Sequence, residues 1–380
     1  MAEIIINIAG VKVRRLYHEH IDGIIKLMNK EGWYYYDHHE LKRYLTLNQE
    51  CFILFKDGNI IGSIFTTNYG NQAWIGNIIV AKKERGIGLA SKLITGVIDY
   101  LRDNEHVPTF RIGSVPLAIG LYKKLGFRAE AFTTAQEVGL PLNAEYEEIN
   151  LGKNMQIERL YVNDLEAIGK IDERYFKSKR LQFLKEIFND SIKEGSFCLK
   201  DQGKVVGFLM LRRRLASKSE GHFAEGPDYV YRLGPSSFLP KYGINGFKAL
   251  FKEVMQVVNK EVLKLGGSAK MYAAFPKNAD KEEVYKDTRE LAKVMGMDAN
   301  MNLDNIFDEH EHIFGAQKFV NSHEQWKYME SLGFRQEYFE QVMSYTPGET
   351  VNTPPGQRNA EKTKADLEGI FASATPGDKA

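Results

Sequence analysis

Arg85-Gly86-Ile87-Gly88-Leu89-Ala90 puts a cation beside a run of small residues. That is what a diphosphate requires of a protein chain. Several donors must converge on its oxygens, and successive backbone N–H groups at a helix N-terminus supply them with the positive end of the helix dipole behind. Side chains would block the approach, so glycine or alanine must stand where the anion meets the backbone. Gly86, Gly88 and Ala90 leave that clearance, while Ile87 and Leu89 contribute backbone and Arg85 adds charge at the mouth. The alternative reading is a plain glycine turn between strand and helix. A nucleotide P-loop would continue Gly-Lys-Ser/Thr, and a dinucleotide fold would need a third glycine and a later acidic residue. This stretch fits neither.

The elements around it are placed to hold such a turn. Ala73 to Val80 is an apolar run of strand character, and it ends just before the turn. Leu89, Leu93, Ile94, Val97, Ile98 and Leu101 fall on one face of a helix over Gly88 to Leu101. Upstream, Ile4 to Ala9 and Val11 to Leu16 read as strands. His20 to Lys30 and Asp37 to Leu47 read as helices, and Cys51 to Phe55 with Ile60 to Thr67 as a hairpin turning at Asp57-Gly58. Downstream come a strand at Thr109 to Ile112, a helix at Ala118 to Leu125 and a closing strand from Phe127.

The same order then begins again. Ile157 to Tyr161 reads as a strand, Asp164 to Ile171 and Arg180 to Ile192 as helices, and Phe197 to Leu199 with Val205 to Leu211 as a hairpin at Gln202-Gly203. Tyr229 to Leu233 is a strand and Gly246 to Val262 a long amphipathic helix; Ser331-Leu332-Gly333-Phe334 echoes Lys124-Leu125-Gly126-Phe127. Residues 276–318 have no counterpart and read as an insertion. Residues 346–380, rich in Pro, Gly, Thr, Lys and Glu, read as a disordered tail in which Leu367 to Ala374 has helical character. The predicted layout is one domain over residues 1–150 and a second over 155–345.

With the elements in place, the chain resembles the GNAT acetyltransferase superfamily. The family signature Gln/Arg-x-x-Gly-x-Gly/Ala is met in register by Arg85, Gly88 and Ala90. Ala73 to Val80 is similar to the family's fourth strand, and Ala118 to Phe127 to its second conserved segment. Glu31-Gly32-Trp33 and Gly113-Ser114-Val115-Pro116-Leu117 are similar to a tandem subgroup, in which a conventional domain precedes a diverged one. So are Asp172, Phe176, Arg180 and Leu233-Gly234-Pro235.

The resemblance implies an α+β fold: two tandem GNAT-like domains, each a mostly antiparallel mixed sheet flanked by helices. It implies acetyl-CoA as co-substrate, no metal, and direct transfer to a primary amine of a small molecule or amino acid. A protein or peptide acetyltransferase and a non-catalytic acyl-CoA scaffold are the other readings. Ile78, Ile79, Val80, Arg85–Ala90 and Ser114 would hold the cofactor, with serine at position 114 where many relatives carry asparagine. Tyr122 would be the general acid toward the departing thiolate, against the reading of an aromatic that packs the sheet. Trp33, Tyr34 and Asn77 would face the acceptor, with Tyr35 and Tyr36 in the same aromatic cluster, against the reading of aromatics that pack the core. Glu31, Asp37, His38 and His39 are candidate bases or, equally, a polar helix face.

The second half reads differently where the turn should be. Ser236 to Gly243 carries Phe238, Leu239 and Pro240, which put bulk, and at Pro240 a missing N–H, where backbone must approach an anion. That half is therefore expected not to bind acetyl-CoA but to shape the acceptor cleft. Arg212-Arg213-Arg214 reads as a solvated strand end, with an anionic substrate group as the alternative.

Bulk properties narrow the partners. Across 380 residues, 51 Lys+Arg against 50 Asp+Glu leave a formal charge of +1, which gives no electrostatic case for nucleic acid or an anionic membrane. The two cysteines, Cys51 and Cys198, are too few for a disulfide scaffold or a zinc cluster and read as buried thiols. No run approaches a membrane span and Ile4 to Ala9 lacks the marks of a signal peptide, so a cytoplasmic location is expected. A homodimer is allowed.

Overall fold

The computed structural model describes residues 4–8, 11–30, 38–47, 50–115, 118–215, 227–277, 281–294, 300, 302–303, 307 and 320–347. The strands are β1 (Ile4–Ile8), β2 (Val11–Arg15), β3 (Phe52–Lys56), β4 (Asn59–Asn68), β5 (Ala73–Val80), β6 (Phe110–Ser114), β7 (Arg128–Leu140), β8 (Met155–Arg159), β9 (Phe197–Asp201), β10 (Lys204–Leu215), β11 (Tyr229–Phe238), β12 (Ala269–Lys277) and β13 (Arg335–Tyr345). The helices are α1 (Ile21–Lys30), α2 (His38–Leu47), α3 (Leu89–Glu105), α4 (Ile119–Lys124), α5 (Leu165–Phe176), α6 (Leu181–Asn189), α7 (Gly243–Leu265), α8 (Lys281–Val294) and α9 (Val320–Ser331).

Local chemistry explains the turns. Asp57 and Gly58 both sit at positive φ (47° and 81°), as do Gln202 and Gly203 (49° and 77°), so each hairpin closes through a left-handed pair that matches strand twist. Helices α4 and α9 end alike. Phe127 N–H bonds Tyr122 O at 3.0 Å and Phe334 N–H bonds Met329 O at 3.1 Å, around Gly126 and Gly333 at φ 89° and 94°. The repeated Leu-Gly-Phe is thus one helix-stop used twice, a Schellman-type closure that needs a left-handed residue.

The strands form one 13-stranded sheet in the order β1-β2-β3-β4-β5-β6-β13-β7-β12-β11-β10-β9-β8. The order reads alike from either side of its centre, with β1 as an extra edge. Among the described residues, the parallel pair of each half is β5 with β6 or β11 with β12, and the remaining neighbours are antiparallel. The last strands are exchanged. β7, from the first half of the sequence, pairs with β12 over Phe132–Leu140, and β13, from the chain's end, pairs with β6 over Gln341–Tyr345. They then pair with each other, antiparallel, along the centre. This exchange modifies the simple layout of two consecutive domains expected from the sequence.

On one face, α3 and α4 cover an apolar core that includes Leu93, Ile94, Val97, Phe110, Ile112 and Phe127. On the same face of the second half, α7 and α9 cover Phe247, Leu250, Phe251, Met271 and Met329. Helices α1 and α2 pack on the opposite face of the first half, α5 and α6 on that of the second. The insertion contains α8, whose Val284 and Tyr285 join the first-half core with Leu303 and Phe307. The expected tail beyond residue 347 lies outside the described residues.

Candidate acyl-CoA site

The site begins with an irregularity in β5. Ser63 of β4 faces Ile79 and Phe65 faces Gly76, so Asn77 and Ile78 together oppose a single residue. The extra residue is a bulge, and Asn77 adopts φ 47° to make it. Its backbone oxygen accepts a hydrogen bond from Ser63 Oγ at 3.2 Å, which fixes the kink from the neighbouring strand. The consequence lies on the other edge of β5. Its parallel pairing with β6 covers only Ala73–Ile75 with Phe110–Ile112, and the two strands then part. Beyond Ile75 no described strand pairs with that edge of β5, which leaves room there for a further strand-like partner. An extended chain carrying amides can take that place.

Where β5 ends, Lys82–Glu84 make a single 3₁₀ turn, and Arg85–Gly88 carry the chain to α3. Gly86 and Gly88 take φ 87° and 78°, and a Cβ at either would meet nothing within 4 Å. The glycines are therefore required by backbone conformation, and the space over them is open. The Ile87 side chain is 60% exposed, turned away from the core. Leu89 is buried in the first core and anchors the helix end. Lys92 N–H makes a bond to Gly88 O at 3.1 Å, so by helix geometry the amides of Leu89, Ala90 and Ser91 point out of the N-terminus. Arg85 Nε donates to Val80 O at 2.8 Å, which closes the turn; part of this cation is a brace. A diphosphate fits such a cradle, and the residues present meet the requirement for a CoA-type ligand.

Tyr122 lies in α4, is 7% exposed, and packs edge-on to Phe127 at 6.0 Å between ring centroids, within the first core. The geometry puts it on the same face as α3. Ser114 closes β6, is buried, and its Oγ donates to Val115 O at 2.9 Å, so its donor is already engaged by its own chain. Ile78 and Val80 face the α3 core while Ile79 faces the α1–α2 core. Asn77 is nearly buried at the bulge. Trp33, Tyr34, Tyr35, Tyr36, Glu31 and Asp37 lie outside the described residues. Of the candidate bases, His38 is exposed and its Nε2 lies 2.5 Å from Asp22 Oδ1 on α1.

The second half shows what the site would be without its turn. A 3₁₀ turn over Pro240–Tyr242 follows β11, as Lys82–Glu84 follows β5, but α7 starts at once with Gly243. The segment corresponding to Arg85–Gly88 is absent. Leu239 N–H bonds Val206 O at 2.8 Å, and Phe238 seats its ring over Gly207 and Gly246, where a Cβ would come within 2.2 Å and 2.9 Å of it. The shared helix-stop aligns Met329 with Tyr122, so the phenol is missing as well.

The two halves meet through side chains that sequence reading did not find. Arg43 of α2 lies 2.7 Å from Asp190 and 3.2 Å from the fully buried Glu40. Arg214 lies 2.9 Å from the same Asp190. The expectation of a solvated strand end at Arg212–Arg214 is corrected: Arg212 and Arg214 are buried, Arg214 between Glu40 of α2 and Asp190 just after α6, and Arg213, on the other face, pairs with Glu261. Alternation along a strand buries every second residue, here two of three arginines. Phe176 of α5 stacks on Trp74 at 6.3 Å, and Arg180 lies over Phe176 while clamping Asp172 at 2.6 and 2.7 Å. Both cysteines are free and buried, and burial pushes each thiol up to about 12. Among the described residues no cluster of side chains is suited to a metal, and no helix is long and apolar enough to cross a membrane.

Residues 19–127 match the acetyltransferase (GNAT) family model. An uncharacterized N-acetyltransferase of Bacillus subtilis, YitH, is 24% identical over 196 residues; the match spans 51% of this chain and 66% of that protein, just under two thirds. Among solved structures, an acetyltransferase from Pyrococcus horikoshii described as putative superposes with TM-score 0.54 at 16% identity, covering 99% of this chain and 98% of that one. A tandem GNAT protein from the clavulanic acid biosynthesis pathway superposes with TM-score 0.55 at 11% identity, covering 90% and 99%. At such identities the structures speak for the fold. The first half is thus similar to a GNAT acetyltransferase domain over residues 19–127, and the second half repeats the fold of the first.

Proposed function

We propose that this protein is an acetyl-CoA-dependent N-acetyltransferase that transfers the acetyl group directly to a primary amine of a small molecule or amino acid. The observation that supports it most is the bulged β5, which parts from β6 and runs into a turn of two left-handed glycines at the start of α3. In this reading Arg85–Ala90 hold the diphosphate, and the parted edge of β5 at Ile78–Val80 pairs with the pantetheine arm. Acetyl-CoA supplies an activated thioester. The amine nitrogen bonds to the acyl carbon, the carbon–sulfur bond breaks, and the electron pair leaves on sulfur. Backbone N–H groups near Ile79 and Val80 stabilise the carbonyl oxygen, Tyr122 gives its phenolic proton to the thiolate, and the amine's proton passes to solvent. Asn77, Trp33 and Tyr34 belong to the acceptor side, and the second half shapes the cleft without taking acetyl-CoA.

The proposal includes no metal, no nucleic-acid or membrane partner, a cytoplasmic location, for which the free buried thiols are suited, and room for a homodimer. The test is release of free CoA from acetyl-CoA over a panel of amino acids, polyamines, amino sugars and peptides. Turnover with a small amine supports the proposal; turnover with peptides alone would replace its acceptor class; CoA binding without any turnover would leave a scaffold in its place.

A further inference from the structure

The last strand of the chain brings a side chain into the first half that no motif announces. Gln341 on β13 is 0% exposed, and neither its Oε1 nor its Nε2 has a hydrogen-bond partner. It stands directly across from Ser114, the last residue of β6, two positions beyond Ile112, where β5 and β6 part. Paired residues share a face, and Met343, two residues on, lies in the core under α3 and α4. Gln341 is therefore beside the parting on the face that carries Tyr122.

We propose that Gln341 is a further binding residue of the acyl-CoA cleft, contributed by the other end of the chain; this rests on the function proposed above. Burying a primary amide without partners is costly, so both ends call for a ligand or an ordered water. A secondary amide presents one carbonyl acceptor and one N–H donor. The glutamine amide answers both, from Nε2 and Oε1. The pantetheine arm carries such amides and would run along the parted edge of β5, one strand from Gln341. Ser114 is not a rival for this contact, since its donor is bonded to Val115 O.

The fold contains its own control. Gln136 on β7 stands across from Ala273 of β12, is equally buried and has neither amide end partnered. It occupies the corresponding place in the half that lacks the glycine turn. If burial of the amide were only a property of the central strands, the two glutamines would behave alike.

The experiment is equilibrium binding of acetyl-CoA by calorimetry to wild type, Gln341→Leu and Gln136→Leu, with ADP, which has the diphosphate but no arm, as a second ligand. Gln341→Leu is expected to raise the acetyl-CoA Kd about tenfold, the size of one good hydrogen bond, and to leave the ADP Kd unchanged. Gln136→Leu is expected to change neither by more than about twofold. Where the leucine variant fails to fold, Gln341→Asn shortens the reach and keeps the amide for the same comparison. An unchanged acetyl-CoA Kd in the Gln341 variants, or an equal loss in Gln136→Leu, overturns this inference alone. A wild-type protein that binds no acetyl-CoA overturns the proposed function and the inference with it.

Discussion

The two halves share strand order, a parting pair of parallel strands, a 3₁₀ turn after the central strand and the same helix-stop, yet they differ at a few decisive positions. The first half has Arg85–Gly88 between its 3₁₀ turn and α3, where the second half has nothing. It has Tyr122 where the second has Met329, and Val80 facing Gly62 where the second has Phe238 facing Gly207. The strand order can thus be repeated without the glycine turn and the phenol of the first half. A fold sets where a site can form; the turn and a few side chains decide whether it does.

The exchange of β7 and β13 means the halves are not independent bodies, and breaking it is the largest perturbation available. A chain ending at residue 334 loses the strand that joins β6 to β7. It should fail to fold cooperatively, because the net stability of an ordinary domain is only ~5–15 kcal/mol and this strand is paired on both edges at the centre of the sheet. Thermal unfolding followed by circular dichroism checks this; a sharp transition like that of the full chain would show that the halves stand alone. Next in size is the phenol. Tyr122→Phe should lower kcat by about 100-fold or more with little change in acetyl-CoA affinity, the range for losing a positioned general acid. Met329→Leu, its counterpart, should leave kcat intact and change stability by less than ~1.5 kcal/mol. Equal kinetic effects from the two would remove the distinction between the halves.

At the seam, Asp190→Asn takes away the carboxylate that Arg43 and Arg214 share beside Glu40. Breaking a buried ion pair from one side costs about 3–5 kcal/mol, to be read in a denaturant melt. The smallest effect concerns the thiols, which should be alike in both halves. With each folded pKa near 12 against an ordinary 9.0, Cys51 and Cys198 stay protonated in the native state. Their contribution to stability is complete below pH ~9 and falls as pH rises toward 12, as the unfolded thiols ionise first. A disulfide reagent at pH 8 should label neither until denaturant is added; rapid labelling of one would mark that half as open.

The legible part of this molecule was the local part. Asp57-Gly58, Gln202-Gly203, the glycine turn and the Leu-Gly-Phe repeat each dictate a backbone conformation from adjacent residues, and each formed where the sequence put it. The repeat of elements gave two related halves. The exchange of last strands was not legible, because β7 and β13 have the same composition whichever sheet they complete. Nor was the burial of Arg214, which meets Glu40 from α2, a distant part of the chain. Gln341 left no signal either: a lone glutamine in a mixed strand becomes notable only when its neighbour proves to be Ser114.

The central claim is that a chain with two such halves holds one acyl-CoA site, in the first. Calorimetric titration with acetyl-CoA should give a stoichiometry of one per chain in the wild type. In Gly88→Glu, which places bulk and negative charge over the helix N-terminus, it should give no detectable binding. Two sites per chain, or binding that survives Gly88→Glu, would contradict it.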